Sequence, residues 1–155
     1  IVCTGKTDDY RDAGYFQRLL EGLKKNGMED YVHFLGYIPK RDQIKILCQS
    51  QAALQPTLFE GNPGGGIAYN AISLGVPIIL SDLPVNLELK SPLAFFFKKH
   101  SPESLKDAMV GFVEGHKKQL RYTRTELMEQ GEARLKQLTC AVHKVLQYNL
   151  GGNGR

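Results

Sequence analysis

Cysteine is scarce in this sequence, and metal-binding patterns are missing from it. The three cysteines, Cys3, Cys48 and Cys140, lie far apart and are odd in number. They match no zinc spacing and offer no disulfide framework, which points to free, mostly buried thiols in a reducing compartment. The four histidines are equally scattered, with no His-x-x-x-His pair. No apolar run approaches the ~20 residues of a membrane span. The opening residues do not have the layout of a secretory leader, so the expected location is cytoplasmic. Blocks of one charge are lacking too: the formal net charge of +4 is spread along the chain. That mild excess suits an anionic ligand or an acidic membrane surface, and solubility explains it equally well. No aromatic-basic interleaving occurs, so nucleic acid is not an expected partner.

What is present is ordinary for a soluble globular domain: 155 residues, 42% apolar and 23% charged. That length supports one domain with a real core. We expect a domain over residues 1–148 and a flexible tail over 149–155, ending in "GGNGR". Ile1 opens inside an apolar run, so the expectation is one part of a larger chain.

The order of elements is informative. Ile1–Thr4 reads as a buried strand ending at Gly5. From Asp12 to Asn26, Phe16, Leu19, Leu20 and Leu23 recur at helical spacing, and Asn26-Gly27 stops the helix. Tyr31–Leu35 reads as a strand closed by Gly36. Asp42–Gln49 is a short helix with Ile44, Leu47 and Cys48 inward. Ala52–Gln55 is a strand ending at Pro56. A glycine-rich window leads into a helix from about Gly65 to Leu74, capped by Gly75 and kept from resuming by Pro77. Ile78–Leu80 and Leu93–Phe97 are further strands. Ser101-Pro102 opens a helix whose inward stripe is Leu105, Ala108, Met109 and Phe112. A long segment from about Lys118 to Tyr148 carries an apolar stripe of Leu135, Leu138, Val142 and Val145, with Gly131 a candidate break. Short apolar strands alternating with helices predict an α/β fold, a parallel sheet covered by helices on both faces. Ligands bind such sheets at the carboxyl ends of the strands. The loops of interest are therefore Gly5–Asp12, Gly36–Lys40 and Thr57–Gly66.

In the last of these, Gly64, Gly65 and Gly66 precede a helix and let a ligand approach the backbone. The helix start offers free N–H groups and about half a positive charge, an arrangement suited to phosphate. Glu60, an acceptor-only side chain, suits hydroxyl-rich partners or neighbouring N–H groups. Phosphate plus polyol suggests a nucleotide sugar or sugar phosphate. The pattern is neither a P-loop nor a dinucleotide fingerprint. A glycine-rich turn that only permits tight strand-to-helix packing is the competing reading.

The stretch "FEGNPGGGIAYNAISLGVPIILSD" resembles the signature segment of glycosyltransferase family 4, of the GT-B fold. "IVCTGKTDDY" and "YVHFLGYIPKRDQIKILCQSQAALQPTLFEG" resemble the same domain upstream. "LTCAVHKVLQ" is similar to its closing helix, with Thr139-Cys140 where a Thr-Trp or Ser-Trp pair is usual. The resemblance implies the Rossmann-like, donor-binding lobe of a retaining, metal-independent enzyme. That enzyme moves a sugar from a nucleotide sugar, UDP- or GDP-linked, to a glycan or lipid-linked acceptor held by an amino-terminal lobe. No cofactor is implied. Carried over by position, Glu60 is the catalytic-site carboxylate, touching the donor sugar's hydroxyls. Thr57 and Ile67 flank the site, and Gly64, Gly65 and Gly66 offer N–H groups to sugar or diphosphate. Gly36, Tyr37 and Ile38 lie beside the base. Asn70 stands where a second Glu normally binds the ribose. The loop is two residues longer than the commonest spacing.

The resemblance also implies that the lobe's first strand, and an Arg and Lys that clamp the diphosphate, precede Ile1. The exposed sheet edge this leaves is expected to favour a homodimer or partner pairing. Alone, the chain is expected to be inactive. A catalytically inactive nucleotide-sugar-binding or regulatory module of the same fold is the alternative, and a sugar-nucleotide epimerase-like enzyme a third reading. Asp8, Asp9 and Asp12 read as a solvated loop with a helix N-cap, and Lys6 as a solvated loop lysine. Tyr37 fits base stacking and half-buried packing about equally. Phe95, Phe96 and Phe97 read as strand core and edge. Lys117, Lys118 and Arg121 read as a solvated face, the alternative being a peripheral contact with the inner membrane surface.

Overall fold

The computed structural model describes residues 1–8, 10, 12–61, 65–115 and 122–151. Two compact units divide the chain, Ile1–Gln49 and Ser50–Arg155.

The first unit contains β1 (Val2–Cys3), α1 (Tyr15–Lys25), a 3-10 turn (Glu29–Tyr31), β2 (His33–Phe34) and α2 (Lys40–Gln49). β1 and β2 are parallel, with Val2 opposite His33. Parallel neighbours need a crossover, and α1 supplies it. The helix starts at Tyr15 rather than Asp12, and its N-cap is Gly14 with no side-chain bond. Asp12 is therefore not the cap: its carboxylate is held by Arg18 instead. The stop at Asn26-Gly27 is as expected. Gly27 takes φ 64°, and the Met28 and Gly27 amides bond Leu23 O and Lys24 O at 2.9 and 3.1 Å, a Schellman motif. Phe16 meets Phe34 edge-on at 5.1 Å, while Leu19 and Leu20 stay exposed. In α2, Leu47 is buried and Ile44 half-buried, but Cys48 is exposed. It lies about 100° around the helix from Leu47, beyond the covered face.

The second unit contains β3 (Ala53–Gln55), α3 (Gly65–Ser73), β4 (Ile78–Ser81), α4 (Pro84–Leu87), β5 (Ala94–Phe97), α5 (Pro102–Gly115) and α6 (Arg124–Gly151). The sheet is parallel, ordered β3-β4-β5. All four residues of central β4 are buried, as a strand covered on both faces requires. Ile79 packs with Phe97 and with Phe112 of α5. Its neighbours Ile78 and Leu80 point to the opposite face and are fully buried. Phe95 meets Phe112 edge-on at 5.5 Å, whereas Phe96, on the other face, is exposed. α3 packs along β3 and β4 through Ala68, Ala71 and Ile72, all solvent-excluded.

Gly75 ends α3 as expected, in a second Schellman motif. Its φ is 71°, and the Val76 and Gly75 amides bond Ala71 O and Ile72 O at 2.8 and 3.1 Å. Ser101 caps α5, accepting the Ser104 amide at 3.1 Å. The short helix α4, entered through extended Leu83 with Pro84 at its start, has no counterpart in the sequence reading. α6 passes through Gly131 unbroken; one glycine costs about 1 kcal/mol, too little to divide a long helix. Its apolar stripe, Leu135, Leu138, Val142 and Val145, is exposed, and so is Cys140. With Cys48 also exposed and Cys3 partly covered, the expectation of mostly buried thiols is corrected. Both exposed thiols sit on helix faces that no described residue covers. Lys117, Lys118, Arg121, Asp9 and residues 152–155 of the tail lie outside the described residues, whereas α6 itself reaches Gly151.

Candidate functional site

At the carboxyl end of β3 the structure brings together two of the expected site residues, Thr57 and Glu60. Gln55 is the last residue of the strand, Pro56 follows, and the chain turns back so that Thr57 and Glu60 converge. Oε1 of Glu60 accepts two hydrogen bonds, from Gln55 Nε2 at 2.7 Å and from Thr57 Oγ1 at 2.8 Å. No described residue donates to Oε2, and the carboxylate is only partly buried. Among the described residues, that oxygen is left for solvent or a ligand.

Behind this carboxylate lies a buried polar relay. Ser81, last in β4, donates its hydroxyl to the carbonyl of Thr57 at 2.6 Å. Asn86 of α4 donates its amide to Ser81 O at 2.9 Å. Ser81 and Asn86 are both fully buried, and burying such groups is tolerable only when they are hydrogen-bonded. The relay ties the ends of β3 and β4 together. Asp82, next in the chain, accepts the Lys99 amide at 2.7 Å and so fastens the end of β4 to the exit from β5.

α3 begins at Gly65. A Cβ added at Gly66 would meet nothing within 4 Å. Among the described residues, packing therefore does not require glycine there. Gly66 and Asn70 are one helical turn apart, on the side away from buried Ala68, Ala71 and Ile72. Gly66 is exposed, and Ile67 and Asn70 are half-buried. The Asn70 side chain makes no hydrogen bond to a described residue. Gly64 lies outside the described residues.

Gly36, Tyr37 and Ile38 belong to the first unit. Gly36 adopts φ 65° and accepts the Gly5 amide at 2.9 Å, joining the two loops at the carboxyl ends of β1 and β2. Ile38 O accepts Gln43 Nε2 at 3.1 Å. Tyr37 is 80% exposed, so it is free to stack rather than packed. Beside Gly36 is a cleft of about 700 Å³, with Phe16 and Phe34 among its walls and Lys6, Asp8, Tyr10 and Tyr15 at its lining.

Sequence reasoning singled out Thr57, Glu60 and the α3 start through their motif; it did not single out Gln55, Ser81 and Asn86, which the structure bonds to them directly or through one another. Ser81 and Asn86 carried one signal: a polar residue closing an apolar strand, then an Asn after a turn-forming Pro. Among the described residues no group of His, Cys, Asp and Glu is arranged to hold a metal ion. No helix among them is long and apolar enough to cross a membrane.

Residues 5–126 match the model of the family described as glycosyl transferases group 1. The chain belongs to this family. The group 1 assignment covers both units' candidate residues; the narrower family 4 is not resolved by it. Two solved structures are similar to this group 1 chain in fold. One is Anabaena Alr3699/HepE in complex with UDP, at TM-score 0.66 and 15% identity over 88% of this chain and 40% of that one. The other is the sucrose-phosphate synthase of Thermosynechococcus elongatus, at TM-score 0.61 and 15% identity over 90% of this chain and 38% of that one. The fold is thus the Rossmann-like α/β type found in GT-B glycosyltransferases, and the chain spans about two fifths of either structure's length. No curated protein sequence matches the chain significantly.

Proposed function

We propose that this chain is the donor-binding part of a retaining family 4 glycosyltransferase that takes a nucleotide sugar. The observation that carries the reading is Glu60: a carboxylate just ahead of a helix start in the chain, with one oxygen held by Gln55 and Thr57 and the other receiving no bond from a described residue. A carboxylate oxygen in that state accepts hydrogen bonds from sugar hydroxyls. Backbone N–H groups at Gly65, Gly66 and Ile67 suit the diphosphate, with Gly64 assigned there by resemblance alone. Asn70 accepts from the ribose through its amide oxygen. Gly36, Tyr37 and Ile38, in the first unit, are assigned to the base by resemblance alone. Binding of UDP by the Anabaena protein of similar fold supports a nucleoside-diphosphate ligand.

No metal or other cofactor enters this reading. The acceptor is a glycan or lipid-linked glycan bound elsewhere in the enzyme. Cytoplasmic location, self-association through an open strand edge and inactivity of this chain alone belong to the same reading. A regulatory module that kept the fold and lost catalysis is the second reading, favoured by Asn70 in place of the expected Glu. Titration of UDP-, GDP- and ADP-glucose by calorimetry tests the binding assignment and identifies the base. Millimolar or tighter binding of one donor supports it; absence of binding by all three, with the full-length protein, overturns it. Sugar transfer by that protein then separates the enzyme from the regulatory module.

A further inference from the structure

We infer that Gln55 and Thr57 are positioning residues for Glu60, selecting which of its two oxygens meets the donor sugar. The inference rests on the donor-binding reading above; it adds Gln55, which the sequence motif does not mark, and gives Thr57 a role towards Glu60. A free carboxylate rotates about its terminal bond and presents both oxygens alike. Here two donors from the end of β3 and the loop after it, at 2.7 and 2.8 Å, converge on Oε1 alone. The plane of the carboxylate is then fixed, and among the described residues Oε2 is the acceptor left for a ligand.

The donors are themselves held. Gln55 sits in the sheet ladder opposite Leu80. The Thr57 backbone is tied to β4 by the buried Ser81 hydroxyl, which the buried Asn86 amide supports in turn. The chain of contacts runs from the rigid centre of the sheet to a single reactive-side oxygen. Such support pre-organises an acceptor, so less ordering remains to be done when the sugar arrives. It acts on the sugar alone. The nucleoside diphosphate without its sugar makes no use of Oε2 and should not sense the loss of either donor.

The test is a pair of dissociation constants on the full-length protein, for the glucose nucleotide that binds and for its free nucleoside diphosphate. The variants are Gln55→Leu, Thr57→Val, Thr57→Ser and Glu60→Ala. Gln55→Leu and Thr57→Val should each weaken the sugar nucleotide about five- to tenfold, the usual net effect of one lost hydrogen bond. The free diphosphate should stay within about twofold. Thr57→Ser, which keeps the hydroxyl, should behave as the parent. Equal weakening of both ligands would mean a general structural role and overturn the inference. So would unchanged binding of both by Gln55→Leu and Thr57→Val. Glu60→Ala separates the two levels. If it abolishes the sugar preference while the other variants do not, only the positioning role fails. If it too leaves the preference intact, or if the parent shows none, the reading of the site fails and the inference with it.

Discussion

The side-chain amide of Gln55 reaches Oε1 of Glu60 across 2.7 Å, closing the loop that follows β3 back onto the strand that launched it. That bond makes the acidic residue part of the sheet's carboxyl end rather than of a free loop. Ligands of parallel α/β sheets gather at this end. It also puts the carboxylate's geometry under the control of the most buried part of the second unit.

Gly66 offers a prediction that separates packing from binding. Because a Cβ there meets nothing within 4 Å, Gly66→Ala should not destabilise the fold and should stabilise α3 by up to ~1 kcal/mol. In the proposed donor site the same methyl would stand between the diphosphate and the helix start, lengthening a charge-assisted bond, so nucleotide affinity should fall about tenfold. Urea unfolding and calorimetric titration of the same variant check both halves. Lost stability would return Gly66 to a packing role.

Asn70→Glu restores the acidic residue expected at the ribose. A charged acceptor is stronger than a neutral one by ~1 kcal/mol, so nucleotide affinity should rise about fivefold. Equal or weaker binding would place the ribose elsewhere.

The two Schellman glycines differ in their surroundings, and alanine should read that difference. Gly27→Ala meets open space and suffers only the left-handed backbone, φ 64°, about 1–2 kcal/mol. Gly75→Ala has the same strain at φ 71°, and its methyl falls 3.3 Å from Leu127 Cδ2. Gly75→Ala should therefore shift the denaturation midpoint further than Gly27→Ala.

Much of the fold was legible because its signals are local. Asn26-Gly27 and Gly75-Val76-Pro77 each state a helix end within three residues, and strands such as Ile78–Leu80 are unbroken apolar runs. Thr57 and Glu60 were legible because they share a motif with the α3 start. Gln55, Ser81 and Asn86 were not: Ser81 reaches Thr57 across 24 residues of chain, and no spacing rule links two strand ends. The exposure of Cys48 and Cys140 was hidden for a related reason. Periodicity marks a helix's apolar face but not whether anything in the same unit covers it.

At the start of α6, Thr123 and Glu126 form a capping box. The Glu126 carboxylate accepts the Thr123 amide at 2.7 Å and its hydroxyl at 2.8 Å, and the Glu126 amide donates to Thr123 Oγ1 at 3.2 Å. The Thr123 backbone and side-chain bonds hold the Glu126 carboxyl below its ordinary value of 4.5. A lowered folded value means the contribution is complete above pH 4.5 and is lost as pH falls through the lowered value. The Thr123 amide proton, followed by NMR, should titrate with a midpoint below 4.5. In Glu126→Gln that titration should disappear. A midpoint at or above the ordinary value would contradict the cap.

The most direct test of the account is the sugar preference of Glu60→Ala. We predict that the parent protein binds a nucleotide sugar more tightly than the matching nucleoside diphosphate. In Glu60→Ala the two dissociation constants should converge, with the diphosphate's own affinity little changed. An undiminished preference for the sugar nucleotide in Glu60→Ala would contradict the account, because the sugar would then be held by something other than this carboxylate.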